Sequence, residues 1–167
     1  MTFIFITLIL LIPYAALILY YRKSWMSLAD FIPGEKLSEI EIPFVSIIIA
    51  ARNEEKNIGK CIKSLISQTY PQNKFEIIIT DDHSTDQTVQ VIKTFTHENI
   101  RIISLADFTG NHKINSYKKK SIETALKFAK GELIVTTDAD CMAAPKWLNT
   151  LVSFYQKEDP VFIALPV

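Results

Sequence analysis

The residues of this chain best suited to chemistry are carboxylates, and they come in groups. Asp138-Ala139-Asp140 is one group, Asp81-Asp82 a second, and Arg52-Asn53-Glu54-Glu55 a third. Each follows directly on an apolar run: Leu133 to Thr137, Phe75 to Thr80, and Val45 to Ala51. Aspartates gathered in one place repel one another, so a cation or hydrogen-bond donors must accompany them. Carboxylate oxygens suit hard cations such as Mg2+ or Mn2+, which bind through one or two carboxylates together with the phosphates of a substrate. Taken singly, each group has a plainer reading. Asp138 and Asp140 could be loop or cap residues, and Asp81-Asp82 could be turn and N-cap residues. Their shared placement at the ends of buried strands is what raises the metal reading. Lys118, Lys119 and Lys120 open a helix and read either as a solvated face or as a positive counterweight to a diphosphate, since a helix start is also an anion site. His83, His97 and His112 read as loop residues.

The elements that position these groups alternate between strand and helix. Val45 to Ala51 is nearly continuous apolar sequence, as in a strand buried on both faces of a parallel sheet. Ile58, Cys61, Ile62, Leu65 and Ile66 then fall at helical spacing, and Pro71 stops that helix. Phe75 to Thr80 is the second strand. Ser84 and Gln87 have the spacing of a capping box for a helix whose Val89, Ile92 and Phe95 face inward. Ile100 to Leu105 is the third strand, followed by a polar loop to about Ser116. A helix carrying Ile122, Ala125, Leu126 and Ala129 ends at Gly131. Leu133 to Thr137 is the fourth strand, Pro145 starts another helix, and Val161 to Leu165 reads as a fifth strand. The fold class expected is an open, mostly parallel α/β sheet flanked by helices. In such sheets ligands bind beyond the carboxyl ends of the strands, where the acidic groups sit.

Composition narrows the field. The chain has 167 residues, a formal net charge of +0 and 49% hydrophobic residues. That balance gives no broad basic surface, so no nucleic-acid partner is expected. Cys61 and Cys141 lie far apart and form no C-x-x-C pair, which argues against structural zinc and against a disulfide scaffold.

The apolar excess is concentrated at the start. Phe3 to Tyr21 contains no charged residue, and as a helix it would span about 28 Å, close to the thickness of a bilayer's hydrocarbon core. Arg22 and Lys23 follow at once, with Tyr20, Tyr21 and Trp25 at the level of an interfacial belt. A cleaved signal peptide would carry a basic stretch before the apolar core, and there is no Lys or Arg before Arg22. The expectation is a membrane anchor over 1–23, a linker over 24–43 marked by Pro33-Gly34, and a folded domain over 44–167. Basic residues only on the C-terminal side place that domain in the cytoplasm, on the inner membrane.

The strings VSIIIAARNEEKNIGKCIKSLISQTYP, FEIIITDDHSTDQT and KKKSIETALKFAKGELIVTTDADC resemble the inverting family 2 glycosyltransferases of the GT-A fold, in order from about Pro43 to Leu151. The combination is specific, although no single piece is. The resemblance implies a nucleotide-sugar donor, usually of uridine diphosphate, and a glycan or lipid-linked acceptor. It implies that Ala50, Ala51, Arg52, Asn53 and Glu54 border the nucleotide and that Asp82, with Asp81 beside it, binds the base. It implies that Asp138 and Ala139 lie by the ribose and diphosphate, and that Asp140, with Asp138, holds Mg2+ or Mn2+. Lys118 matches a lysine of a K-x-x-A-L pattern, but Ser121-Ile122 replaces Ala-Leu. The family's catalytic base, an Asp or Glu, belongs to an acceptor-binding segment well past the D-x-D. The acids after Asp140, Glu158 and Asp159, match no such motif. The expectation is therefore a donor-binding part, truncated at its C-terminus, with the base beyond Val167.

Two rival readings come from other classes. A signalling receiver domain also has an α/β sheet, an acidic pair and a lysine, but its acidic pair follows the first strand rather than the second. A non-catalytic module that holds a nucleotide sugar at the membrane shares every donor-side feature, and donor hydrolysis or transfer by the purified chain separates it from an enzyme.

Overall fold

The computed structural model describes residues 2–28, 31, 42–109 and 116–164. Two compact units are present, Met1–Ile32 and Pro33–Val167. The first is a single helix, α1 (Thr2–Met26), with Pro13 inside it. Within it Phe5–Met26, 22 residues of mean hydropathy 1.8, is long and apolar enough to cross a membrane. The turn expected at Pro33-Gly34 lies outside the described residues.

The second unit is built on a four-stranded sheet in the order β3-β2-β1-β4, with β1 at Val45–Ala51, β2 at Phe75–Asp81, β3 at Ile100–Ser104 and β4 at Leu133–Asp138. Every pairing is parallel, as the continuous apolar runs require. Alternate residues face opposite layers. Ile47, Ile49, Ile77 and Ile79 meet α2 (Ile58–Ile66), α3 (Thr88–Lys93) and α6 (Trp147–Glu158). Ile48, Ile78 and Ile103 meet Ala125 of α5 (Tyr117–Leu126), with Ile122 and Phe128 packed alongside. Burial of each isoleucine contributes about 2 kcal/mol, so the central strands β1 and β2 anchor both layers.

One charged residue interrupts β2. Glu76, 8% exposed, accepts hydrogen bonds on Oε1 from Ser46 Oγ (2.7 Å) and from the Lys130 N–H (2.7 Å). Ser46 Oγ accepts in turn from the Gly131 N–H (2.8 Å). This latch joins β1, β2 and the entry to β4 at the end of the sheet opposite the acidic groups, and so fixes the height at which β4 delivers Asp138.

Five expectations are corrected. The described part of the fifth-strand segment, 161–164, forms no strand. Its Val161 and Phe162 are 106% and 83% exposed, with no neighbouring strand among the described residues to pair with. The Ser84/Gln87 capping box does not form: α3 starts at Thr88, whose N–H donates to Asp86 Oδ1 (2.9 Å), while Ser84 Oγ is taken by the Asn53 N–H (3.0 Å). Val91, not Val89, joins Ile92 and Phe95 against the core. Gly131 does not close α5, which stops at Leu126; it is instead the point where the chain passes against β1. The loop expected after β3 begins as a short helix, α4 (Ala106–Thr109), and 110–115, with His112, lies outside the described residues.

Candidate functional site

Strand register sets the site. Ala50 stands opposite Thr80 on one side and Asp138 on the other, and Ala51 opposite Asp81. Adjacent strands are about 4.8 Å apart, so the ends of β2 and β4 flank the end of β1 on one rim, about 10 Å from each other. The sheet thus brings together all three acidic groups.

The turn after β1 is laced to the loop after β2. Asn53, at φ 56, receives Thr85 N–H on Oδ1 at 2.8 Å. Glu54 N–H donates to Thr88 Oγ1 (2.7 Å), Glu55 N–H to Asp86 Oδ2 (3.2 Å), and Gln87 N–H to Glu55 Oε2 (3.0 Å). The left-handed turn is one that asparagine tolerates well. The polar atoms of Asn53, Glu54 and Glu55 therefore hold the two loops in one conformation. The sequence alone showed no sign of Ser84, Thr85, Asp86 and Thr88 as their partners, because each sits where a helix cap or surface residue would.

Asp82 is 6% exposed, and its N–H donates to Ala51 O at 2.8 Å, continuing the ladder one step past the strand. His83 Nδ1 lies 3.0 Å from its Oδ1 and Arg52 Nη1 lies 3.7 Å from its Oδ2. His83 is held at φ 55, which costs a side-chain-bearing residue about 1–2 kcal/mol. Arg52 and His83 both also lie against the ring of Tyr117, the first residue of α5. Asp81, 8% exposed, has a buried Oδ1 without a hydrogen-bond partner among the described residues. A buried carboxylate oxygen left so is costly unless a donor reaches it.

At the other end of the rim, Lys118 Nζ is 2.6 Å from Asp138 Oδ1, with side chains 63% and 55% exposed. Such an exposed pair contributes roughly 0.2–1 kcal/mol, which leaves the ammonium free to exchange partners. Lys120 pairs with Glu123 of its own helix at 3.0 Å, so of these two lysines Lys118 is the one that reaches the rim. Ala139 is buried and Asp140 exposed. Cys61 lies beneath: its Sγ donates to Asp138 O (3.7 Å), which also accepts the Cys141 N–H (3.3 Å). Burial pushes the Cys61 thiol up to about 12, with Cys141 and Asp140 adding to the effect, so it remains a neutral donor.

Among the described residues no three His, Cys, Asp or Glu side chains form a ready metal cage. Asp138 and Asp140 instead offer two carboxylates at the end of β4, and Asp138 already pairs with the Lys118 ammonium. That donor set fits Mg2+ or Mn2+ shared with phosphate oxygens better than a cation held by protein alone.

Known proteins share this fold. The family model described as glycosyl transferase family 2 matches residues 46–167. Glycosyltransferase AglE of Haloferax volcanii is 33% identical over 114 residues, covering 67% of this chain and 35% of that protein. The solved mannosyltransferase PcManGT of Pyrobaculum calidifontis, in complex with GDP-Man and Mn2+, is 27% identical with a TM-score of 0.66, over 85% of this chain and 40% of its own. Staphylococcus aureus TarS 1-349 in complex with UDP-GlcNAc is 29% identical with a TM-score of 0.59, over 70% and 32%. This chain therefore spans between about a third and two fifths of the length of these relatives.

Proposed function

Because this chain belongs to glycosyl transferase family 2 and has its GT-A fold, we propose that it binds a nucleotide-diphosphate sugar donor for transfer of the sugar to a hydroxyl of a glycan or lipid-linked acceptor in cell-envelope or exported glycan synthesis. The observation that carries the reading is the register of Ala51 with Asp81 and of Ala50 with Asp138, which puts one acidic group on each side of the β1 end. The nucleotide of the donor in this reading is UDP, supported by the UDP-GlcNAc complex of TarS.

In this reading Ala50, Arg52, Asn53 and Glu54 border the nucleotide. Asp82, with Asp81 beside it, accepts the ring N–H of the base. Asp138 and Ala139 lie by the ribose and diphosphate. Lys118 leaves Asp138 for the diphosphate, where its charge opposes the negative charge that grows as the sugar departs. Asp138 and Asp140 hold the divalent cation, a role supported by the Mn2+ in the PcManGT complex. When bound, the cation supplies Lewis-acid stabilisation of the leaving diphosphate. The transfer is a direct displacement with inversion at the anomeric carbon.

Calorimetric titration of the chain with UDP, with and without Mn2+, tests the reading. Asp82→Ala removes a charged acceptor, and the expected loss is about tenfold in UDP affinity at either metal condition. A folded wild-type chain that binds no nucleoside diphosphate, or an Asp82→Ala variant with unchanged affinity, overturns it.

We further place α1 across the cytoplasmic membrane with the sheet domain on the cytoplasmic side, on the strength of its length and of Arg22 and Lys23 at its end. In intact spheroplasts a C-terminal tag is expected to resist added protease and to be cut after lysis. Cleavage before lysis refutes the orientation.

A further inference from the structure

We propose that Tyr117 is a positioning residue for the nucleoside half of the donor site, its ring holding Arg52 and His83 against Asp82. The proposal rests on the donor-binding reading above and adds a residue to it. The Arg52 guanidinium carbon is 5.7 Å from the centroid of the Tyr117 ring, within cation–π range. The His83 ring meets the same ring edge-on, with centroids 5.8 Å apart and an interplanar angle of 84°. Arg52 and His83 in turn reach different oxygens of Asp82, at 3.7 and 3.0 Å. Three elements are closed into one circuit: the end of β1 through Arg52, the end of β2 through Asp82 and His83, and the start of α5 through Tyr117.

Each part of the circuit is weak alone. Arg52 is 55% exposed on a long flexible stem, and its contact with Asp82 is beyond hydrogen-bond distance. His83 stands in a left-handed backbone conformation that is uncommon for residues other than glycine. The ring of Tyr117 limits the freedom of both, because one flat surface serves the guanidinium and the imidazole together. With both oxygens of Asp82 so engaged, its carboxylate has one orientation, and its remaining lone pairs point in fixed directions. A planar heterocycle with a ring N–H gains from that order. A diphosphate does not, since its counter-charge comes from Lys118 and from the divalent cation that Asp138 and Asp140 would hold.

The test separates the two halves of the ligand. NMR titrations with uridine, UDP and inorganic pyrophosphate are run on the wild-type chain and on Tyr117→Ala, Tyr117→Leu and Tyr117→Phe. Tyr117→Ala and Tyr117→Leu are expected to lose about tenfold in affinity for both uridine and UDP and to keep pyrophosphate binding within about twofold. Tyr117→Phe, which keeps the ring, is expected to match the wild type within about twofold. An equal loss for pyrophosphate marks a general structural defect and overturns the proposal. So does a Phe variant as weak as Ala, or unchanged uridine binding in the Ala and Leu variants. If those variants bind uridine and UDP as the wild type does, the donor-site reading stands and the role of Tyr117 falls. A wild-type chain that binds neither overturns both.

Discussion

Gly131→Ala is expected to lower the melting temperature of the sheet domain by about 10 °C, through a loss of about 3 kcal/mol. A Cβ at Gly131 would lie 2.4 Å from Ser46 N, 2.8 Å from Leu133 O and 2.8 Å from Ser46 Oγ. Two of those atoms are backbone, one in β1 and one in β4, so no side chain can swing aside. Relief would separate the entry of β4 from β1 and would break the bonds from Gly131 N–H to Ser46 Oγ and from Ser46 Oγ to Glu76. Glu76 would then be a buried carboxylate with fewer donors, which adds to the cost. Gly59 provides the contrast. A Cβ there would meet Val91 Cγ1 at 3.4 Å and Phe95 Cζ at 4.0 Å, ordinary contacts, near the start of α2. Gly59→Ala is expected to raise stability by up to about 1 kcal/mol, because alanine loses less chain entropy in a helix. Thermal unfolding followed by circular dichroism measures both. A Gly131→Ala midpoint within about 2 °C of wild type would show that β1 and β4 do not approach as described.

The acidic rim was legible in the sequence because it depends on period and punctuation. Val45 to Ala51 and Phe75 to Thr80 are apolar at nearly every position, which fits only strands covered on both faces, and the acids begin where those runs stop. Val161 to Leu165 failed by the same criterion: an apolar run specifies a strand only when a neighbour is present to pair with it. The caps failed for another reason. Ser84 and Asp86 each had two uses, capping α3 or tying down the turn after β1, and spacing within one loop does not show the second loop. Gly131 has the signature of a helix end, and what requires it is a strand far earlier in the chain. Tyr117 was illegible because its partners, Arg52 and His83, come from two other strand ends and meet it only once the sheet is assembled.

Asp140→Ala is expected to abolish the gain in UDP affinity that Mn2+ produces, a loss of at least about tenfold, while metal-free UDP binding stays within about twofold of wild type. The two aspartates of the triplet differ in what already occupies them. Asp138 has Lys118 at 2.6 Å, so a cation arriving there competes with an ammonium. Asp140 is exposed, and among the described residues its Oδ1 has only a weak contact with Cys141 Sγ at 3.9 Å. A divalent cation therefore gains most from Asp140, and the variant removes that gain without disturbing the Lys118–Asp138 pair. Exposure also makes the substitution nearly neutral for folding, within about 0.5 kcal/mol, so the change reads as binding. Lys118→Ala has the opposite pattern. It is expected to weaken UDP at every Mn2+ concentration, because it removes a fixed charge from the diphosphate side, yet to leave the response to Mn2+ in place. Calorimetry of both variants across an Mn2+ series distinguishes the two carriers of positive charge. A Mn2+ response that survives in folded Asp140→Ala would move the cation away from the triplet and leave Lys118 as the principal counter-charge to the diphosphate.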